Sequence, residues 1–434
     1  MNSILNNLKL LKNILSPLTA FFAGTLITCC AYGLLSSTLA VRLAENGSNT
    51  FSAGIILAFY YIGYIAAALS AYKIVNQVGH IRAFSTYISL FSAIALLHFF
   101  SPNLIYWGVL RFLEGYCIGS AFLCLESWLN ARATNANRGM IMSFYMISTY
   151  LGSSLGQLLL NIPDKSGVVI YITVSVLLSV ALVPISLTAL PMPNLTKHKN
   201  MSLKELYKKS PVGVVGCYIS GIFVGGFYIL GAIYAHNIGL DLQQTSLFMF
   251  FGVLGGMSVQ LPIGKISDQM DRRKLMMYLC VFLICAAPLI HIFAAKGNLA
   301  IIICSFLLGS GTFILYPISV SHINDLVDDE ERTEASGVLI LLQSLGMISG
   351  PIMVSFFMQN FGAICFVLAY VFSACFFIWF TKAHLVKKPD INYTNPSPTY
   401  PIPTDSTHLL HKISEDTSIV DKAKELISQE EKKL

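Results

Sequence analysis

Long apolar stretches alternate with short polar ones along most of the chain. A helix that crosses a bilayer core of about 30 Å needs roughly 20 mainly apolar residues. Twelve stretches of that kind predict twelve membrane-spanning helices, called here the first to twelfth spans. They cover approximately residues 17–41, 51–75, 80–100, 102–126, 138–161, 167–190, 211–236, 244–267, 274–295, 298–322, 332–358 and 361–384.

The polar stretches divide the chain into five predicted segments. The longest internal connection, the cytoplasmic linker 191–210, separates an N-terminal six-helix bundle (17–190) from a C-terminal one (211–384). Residues 1–16 have apolar side chains at helical spacing and no small-residue cleavage site, which indicates an interfacial segment on the cytoplasmic side rather than a removed signal peptide. Residues 385–434 are polar and charged, which predicts a mostly disordered cytoplasmic tail.

The distribution of Lys and Arg predicts the orientation. With the N-terminus in the cytoplasm, the inner loops hold sixteen Lys and Arg residues, tail excluded, and the outer loops hold three. Cytoplasmic loops of membrane proteins carry such an excess. We therefore expect a multi-pass protein of the cytoplasmic (inner) membrane with both termini in the cytoplasm.

Composition excludes several classes of protein. Charged residues make up only 12% and hydrophobic ones 55%, whereas a soluble domain carries roughly 25% charge. Ordinary soluble enzymes, disordered chains and nucleic-acid binders are therefore excluded. The ten cysteines lie in apolar runs without metal-site spacing, and no phosphate-binding GxxxxGK[ST] string or nucleophile–base pattern is present. We expect no metal, no cofactor, no enzyme activity and no ATP-driven transport.

An internal repeat relates the two halves. Tyr72–Phe84 aligns with Gly264–Met276 at an offset of 192 residues, so that Asn76 stands opposite Asp268. The fifth and eleventh spans align at an offset of 198, with Gly152 opposite Gly350. Two pseudo-symmetric six-helix bundles are the simplest explanation, and such bundles place a substrate site at their interface near mid-bilayer.

These motifs resemble those of the major facilitator superfamily (MFS). The resemblance rests on the signature loop Gly264-x-x-x-Asp268-x-x-x-Arg272-Arg273, the fourth-span motif Arg111-x-x-x-Gly115-x-x-x-Gly119 and the antiporter-type string Gly346-x-x-x-Gly350-Pro351 on the eleventh span. The strings Gly79-His80-Ile81-Arg82 and Glu126-Ser127-Trp128-Leu129-Asn130 are similar to a bacterial branch of YcaD-like MFS-type transporters. The resemblance implies an all-α membrane protein with the MFS fold, in which the first, fourth, seventh and tenth helices line a central cavity.

The signature loop implies a conformational latch. In the second half, Asp268 is expected to cap the fifth span near Arg138, flanked by Arg272 and Arg273. The first-half loop, which includes Arg82, has Asn76 in place of the acidic residue, and an uncharged amide predicts a weaker latch. Glu126, at the predicted inner end of the fourth span, and Asp325 in the second half are either parts of a cytoplasmic gate or solvated helix ends.

Arg111 and Glu114 are the first candidates for coupling or substrate binding. They lie three residues apart near the middle of the fourth span, on one helix face. Charges at this depth are costly unless they are paired, so the pair is either a structural ion pair or a coupling site. Histidines near the spans could relay protons or simply lie at helix ends, and His322 is the best candidate among His98, His236, His291 and His322.

Other polar groups are candidates for lining the cavity. Tyr32, Tyr61, Tyr228 and Tyr316 lie too deep for an interfacial aromatic belt, and Gln343 is a buried amide that could instead join helices. Glycines at spacing four predict close helix contacts where the halves pivot. These helix-packing glycines are Gly115, Gly119, Gly152, Gly156, Gly346 and Gly350.

Together these features predict a secondary active transporter whose expected partners are a small solute, protons and the lipid bilayer. We expect a monomer that works by alternating access, with proton coupling, while the direction of transport stays open. The alternative is a non-transporting receptor or scaffold that acts through its cytoplasmic tail. A membrane-embedded enzyme is a remote third option.

Overall fold

The structure, a computed structural model, describes residues 18–132, 138–164, 166–187 and 202–384. The predicted N-terminal segment, most of the linker and the tail lie outside these residues. Each predicted span forms a helix, except that two are interrupted. The spans run Thr19–Glu45, Thr50–Val78, His80–Leu97, Leu104–Arg132, Arg138–Leu158, Val169–Ser186, Pro211–Asn237, Leu242–Ser267, Arg272–Phe293, Asn298–Asn324, Asp329–Phe361 and Ile364–His384.

Eleven helices in the described part of the chain are long and apolar enough to cross a membrane. The fifth span, Arg138–Leu158, is a helix of similar length but carries several Ser, Thr and Gln side chains, which lower its hydropathy. It packs against the first and eighth spans, so its polar groups meet protein. Part of the predicted linker is also helical, because Ser202 and Glu205 form a capping box that starts the helix Leu203–Lys209.

Burial of the spans follows the expected pseudo-symmetric order. The first, fourth, seventh and tenth spans are the most buried, between 67% and 89%. The third, sixth, ninth and twelfth are between 33% and 44% buried, and the eighth also has 44%. A span with little burial in the protein presents its apolar side chains to lipid. The four central spans therefore surround the middle of the molecule, and the arrangement of two six-helix bundles is confirmed.

Glycines give both bundles the same close helix contacts. A Cβ at Gly115 would collide with the backbone carbonyl of Tyr60, which joins the fourth and second spans. The equivalent contact in the second half is between Gly309 and Gly252, on the tenth and eighth spans.

The spacing-four glycines repeat a second contact. Gly152 and Gly156 bring the fifth span against the first at Leu26 and Cys30. Gly346 and Gly350 do the same for the eleventh span against the seventh, at Tyr218 and Ile222. These glycines therefore pack helices within each half. The expectation that they form the pivot between the halves is wrong, because close backbone contact ties helices of one rigid bundle together.

The two halves touch near the face opposite the linker, called here the opposite face; the face that carries the linker is called the linker face. The backbone N–H of Thr50 donates to Gln359 Oε1 (2.7 Å). Asn161 Nδ2 donates to Ser246 Oγ (2.9 Å), which in turn donates to the carbonyl of Gln157 (2.7 Å). Hydrogen bonds between the bundles thus join them near the opposite face.

Replacing Gly115 by Ala should destabilise the protein, whereas Gly108→Ala in the same helix should be neutral. The Cβ at position 115 would meet the Tyr60 carbonyl, a backbone group that cannot move aside, while nothing lies within 4 Å of a Cβ at position 108. We expect a loss of about 2 kcal/mol for Gly115→Ala. Thermal unfolding in detergent measures the difference, and equal melting temperatures for the two variants would contradict the packing described here.

Candidate functional site

A buried cluster of three ionisable side chains lies within the N-terminal bundle. Arg111 Nη1 donates to Glu114 Oε2 at 2.7 Å, and the two residues are one helical turn apart on the fourth span. His98, the residue after the third span, places Nδ1 3.4 Å from Glu114 Oε1. The Glu114 and His98 side chains have no exposed area and that of Arg111 is 2% exposed. The predicted pair is therefore a triad, called here the Arg111–Glu114–His98 cluster.

Aromatic rings enclose this cluster. Trp107 meets His98 edge-on with ring centroids 5.4 Å apart, and Tyr171 of the sixth span stacks parallel to it at 6.4 Å. The Arg111 guanidinium lies 4.7 Å from the centre of the Tyr60 ring. A cation over a ring face is attracted by the ring quadrupole, most strongly where water is absent. The rings thus stabilise the arginine charge and pack around the cluster.

The hydrogen-bonding capacity of the cluster is not saturated. His98 Nδ1 lies near two acceptors, the Ile94 carbonyl (3.2 Å) and Glu114 Oε1, so this nitrogen carries the proton. Within the described residues, His98 Nε2 and Arg111 Nε have no hydrogen-bond partner. A buried polar group without a partner is costly, which suits a site that exchanges protons or takes up water rather than a purely structural ion pair.

A second group of rings lies where the two bundles meet. The seventh span contains a π-helical turn, Gly226–Leu230, and the tenth is interrupted at Phe313–Ile314. Phe313 contacts Tyr228 at 5.4 Å, and Tyr150 of the other half at 5.9 Å. Interrupted helices near mid-membrane are typical of transporter binding sites. Of the predicted cavity tyrosines, Tyr228 belongs to this aromatic group.

The remaining cavity candidates are buried and lie outside this second aromatic group. Tyr32 stacks on Tyr60 at 5.0 Å, and Tyr61 meets the same ring edge-on, so both flank the Arg111 side of the cluster. Tyr316 and Gln343 are buried in the second half. Among the described residues the Tyr316 hydroxyl and Gln343 Nε2 lack hydrogen-bond partners, and such groups are available to a bound solute.

Glu126 differs from its predicted position at a helix end. The fourth span continues to Arg132, so Glu126 lies inside the helix, is only 4% exposed and accepts a hydrogen bond from Tyr145 Oη at 2.9 Å. The alternative of a solvated helix end is therefore wrong for Glu126.

The second-half signature loop forms a dense ion-pair network. Arg272, with 1% of its side chain exposed, donates from Nε to Asp325 Oδ2 (2.7 Å), from Nη1 to Ser267 Oγ (2.7 Å) and from Nη2 to Asp268 Oδ1 (3.2 Å). Arg273 pairs instead with Asp271 (3.1 Å). Gly264 is buried near the C-terminal end of the eighth span, which Asp268 follows as the C-cap. The solvated alternative is therefore wrong for Asp325 too, since its side chain is only 7% exposed.

The first-half loop differs from the second in the exposure of its polar side chains. Asn76 and Arg82 are both exposed at the ends of the second and third spans. The predicted cap by Asp268 involves Arg138, whose side chain lies outside the description. Gly119 packs on Ala67 of the second span, as a helix-packing residue should.

The histidine that lies beside the candidate ion pair is not the one that the sequence favoured. His98, rather than His322, contacts the Arg111–Glu114 pair. His322 is buried near Arg273 and Asp271, while His236 and His291 are exposed. Sequence reasoning also missed Phe313, Tyr150 and Tyr171. Phe313 stands where the helix of the tenth span is interrupted, and an aromatic residue at such a break could have pointed to it. The sequence offered no comparable signal for Tyr171.

Comparison with known proteins identifies the class. The family model described as "Major Facilitator Superfamily" matches residues 21–294 and 227–417. The chain therefore belongs to the Major Facilitator Superfamily and is a multi-pass membrane transporter by family.

Its relatives narrow the branch. The chain is 27% identical to the uncharacterized MFS-type transporter of Enterobacter sp. (strain 638) over 349 residues, which are 80% of this chain and 90% of that protein. It is 25% identical to the uncharacterized MFS-type transporter YcaD of Escherichia coli (strain K12 / DH10B) over 352 residues, with the same coverage. The predicted similarity to the YcaD-like branch is confirmed.

Solved structures support the fold. A crystal structure of a mutant of the nucleoside transporter NupG covers 85% of this chain and 100% of its own, with TM-score 0.72 and 13% identity. A bacterial homolog to the human lysosomal transporter Spinster, inward-facing and occupied, covers 85% and 94%, with TM-score 0.64 and 12% identity. At these identities the likeness concerns the fold alone.

Proposed function

We propose that this protein is a secondary active transporter that moves a small solute across the inner membrane by alternating access, coupled to protons. The observation that carries the proposal is the Arg111–Glu114–His98 cluster, with its 2.7 Å and 3.4 Å contacts and buried side chains. Ionisable groups buried in a membrane protein commonly mark proton pathways. Both termini face the cytoplasm in this proposal, as the distribution of Lys and Arg favours.

The cluster can couple protons to conformation through a change of partner. When Glu114 is charged, it neutralises Arg111 across 2.7 Å. When Glu114 takes a proton, Arg111 loses its counter-ion, and the stacked rings Tyr60 and Tyr32 connect it to the first and second spans. A buried charge without a counter-ion raises the free energy of that conformation, so protonation shifts the balance between states.

The ion-pair network of Arg272 supplies a latch in the same scheme. It ties the eighth and ninth spans to the end of the tenth through Asp268 and Asp325. These contacts lie at the linker face, whereas the hydrogen bonds of Ser246 and Gln359 join the halves directly at the opposite face. All residues of the network belong to the second half, so the network fixes the loop that presents Asp268, and Asp268, the predicted cap of the fifth span, is the group that would meet the first half when the linker face closes.

The test uses the full-length protein in liposomes with an internal pH-sensitive dye and a panel of nucleosides, sugars and organic cations. We expect one panel member to drive proton movement in the wild type. Glu114→Gln should abolish that proton movement and transport driven by a pH gradient, while exchange of labelled solute at equal pH persists.

Glu205→Gln, an exposed carboxylate on the linker helix, is the matched control and should behave as wild type. Retention of proton movement in Glu114→Gln would refute the coupling role. Loss of exchange as well, in a folded variant, would make Glu114 a solute ligand instead. The absence of transport for a panel that nevertheless stabilises the protein would favour the receptor alternative.

A further inference from the structure

A cavity opens at the opposite face of the N-terminal bundle, beside the cluster described above. Its volume is about 400 Å³, and its walls come from the end of the first span, the fifth-to-sixth connection and the start of the eighth span. The polar side chains on the wall are those of Thr38, Arg42, Glu45, Asp164 and Ser166. No step of the proposed transport cycle uses this cavity so far.

An ordered ion pair forms part of the cavity wall. Arg42 Nη2 lies 3.2 Å from Asp164 Oδ2, and the Asp164 side chain is only 4% exposed. Burial raises the pKa of Asp164, but hydrogen bonds from Ser166 and the backbone N–H groups of Val169 and Ile170 outweigh it, and the net pKa is lowered. Asp164 is therefore charged at neutral pH and holds Arg42 in place.

One aromatic ring separates this cavity from the cluster. The Arg42 guanidinium lies 5.9 Å from the centre of the Tyr171 ring, and Ile170, the residue before Tyr171, lines the cavity. The same Tyr171 ring stacks on His98 with an interplanar angle of 12°. Tyr171 thus contacts the cavity's arginine and the cluster's histidine.

We infer that this cavity is the proton entrance for the Arg111–Glu114–His98 cluster, with Tyr171 as the barrier between water in the cavity and His98. The inference rests on the proposed function and adds the route by which the proton reaches the cluster. The ligand of the cavity is water carrying a proton, and an opening lined by three charged side chains and two hydroxyls is suited to hold such water.

The atoms of His98 define the transfer. Nε2, which lacks a partner in the described part of the chain, takes the incoming proton. Nδ1, 3.4 Å from Glu114 Oε1, then releases its proton to that oxygen. One proton enters and one leaves the ring, so His98 ends neutral as the other tautomer and Glu114 ends protonated. The charged and titratable groups around it are Glu114 and Arg111 of the fourth span and Tyr171 of the sixth.

Two measurements separate the relay from its route, and neither needs the solute. The chain has three tryptophans, so Trp128→Phe with Trp379→Phe leaves Trp107 beside His98 as the only indole. Once Glu114 is protonated, a further proton stays on His98 as a positive imidazolium, which quenches a neighbouring indole. We therefore expect acid quenching of Trp107 that is lost in His98→Asn. Quenching that persists in His98→Asn would refute titration of His98.

The route is tested by blocking the cavity. Leu242→Cys on the cavity wall is modified with a bulky uncharged methanethiosulfonate after Cys285 and Cys375, the exposed cysteines among the described residues, are replaced by Ser. Exchange of the His98 C2 hydrogen in deuterated water is then measured by mass spectrometry, with His322 as internal reference. Lys265→Cys, exposed at the linker face, is the matched control.

We expect the modified Leu242→Cys to lose most His98 exchange while His322 is unchanged, and Tyr171→Ala to accelerate His98 exchange. Unchanged His98 exchange after modification, or an equal effect of Lys265→Cys, would overturn the route. The proposed function would still stand on the Glu114→Gln transport result. Conversely, a blocked route with unaffected coupling in Glu114→Gln would leave the entrance but refute the coupling carboxylate.

Discussion

Glu114→Leu is expected to destabilise the protein more than Arg111→Leu, and the double variant less than either. Glu114→Leu leaves the Arg111 guanidinium buried, and arginine cannot lose its proton in a protein. Removing one partner of a buried pair costs about 3–5 kcal/mol. After Arg111→Leu, by contrast, Glu114 can become neutral by binding a proton, with His98 at 3.4 Å. Replacing both charges by apolar groups removes the uncompensated charge altogether.

Thermal unfolding in detergent, repeated across pH, measures this order. Glu45→Leu, an exposed carboxylate at the end of the first span, is the matched control and should not change the melting temperature. Additive losses in the double variant would mean that Arg111 and Glu114 do not interact, contrary to the 2.7 Å contact. A larger loss of stability in Glu114→Leu than in Arg111→Leu, with the smallest loss in the double variant, would show a coupled pair rather than two independent buried groups.

The helices and the pairing of charges follow from local features of the sequence. Spans are set by runs of apolar residues, and Arg111 and Glu114 share a helix face because they are three residues apart. The correspondence between Asn76 and Asp268 is likewise visible in the sequence, because the two loops align at an offset of 192 residues. These features depend on neighbours along the chain, so they can be predicted without knowledge of packing.

The contacts that complete the site depend on packing between helices. His98 follows the third span and Glu114 lies on the fourth, and hydropathy does not say which sides of these two spans pack together. Tyr171 comes from the sixth span in the same way. The assignment of Gly152 to a pivot failed because spacing predicts a close contact but not its partner.

Arg272→Lys is expected to disrupt the latch at the linker face although the charge is kept. Three donors of the planar guanidinium reach Asp325, Ser267 and Asp268 at 2.7 to 3.2 Å. A lysine ammonium is a single point on a flexible chain and cannot reproduce this fork. The side chain is 1% exposed, so water cannot replace the lost donors. We expect a loss of about 3 kcal/mol.

The adjacent residues provide graded controls for that prediction. Arg273→Lys should have a smaller effect, since Arg273 pairs with Asp271 two residues away rather than with another helix. Lys274→Ala should have none, because Lys274 is exposed. Melting temperatures and the reactivity of a cysteine placed at Ser321, buried on the tenth span close to Asp325, measure stability and opening together. If Arg272→Lys behaves like Lys274→Ala in both measurements, the geometry of the guanidinium is dispensable and the network does not fix the loop that carries Asp268 at the linker face.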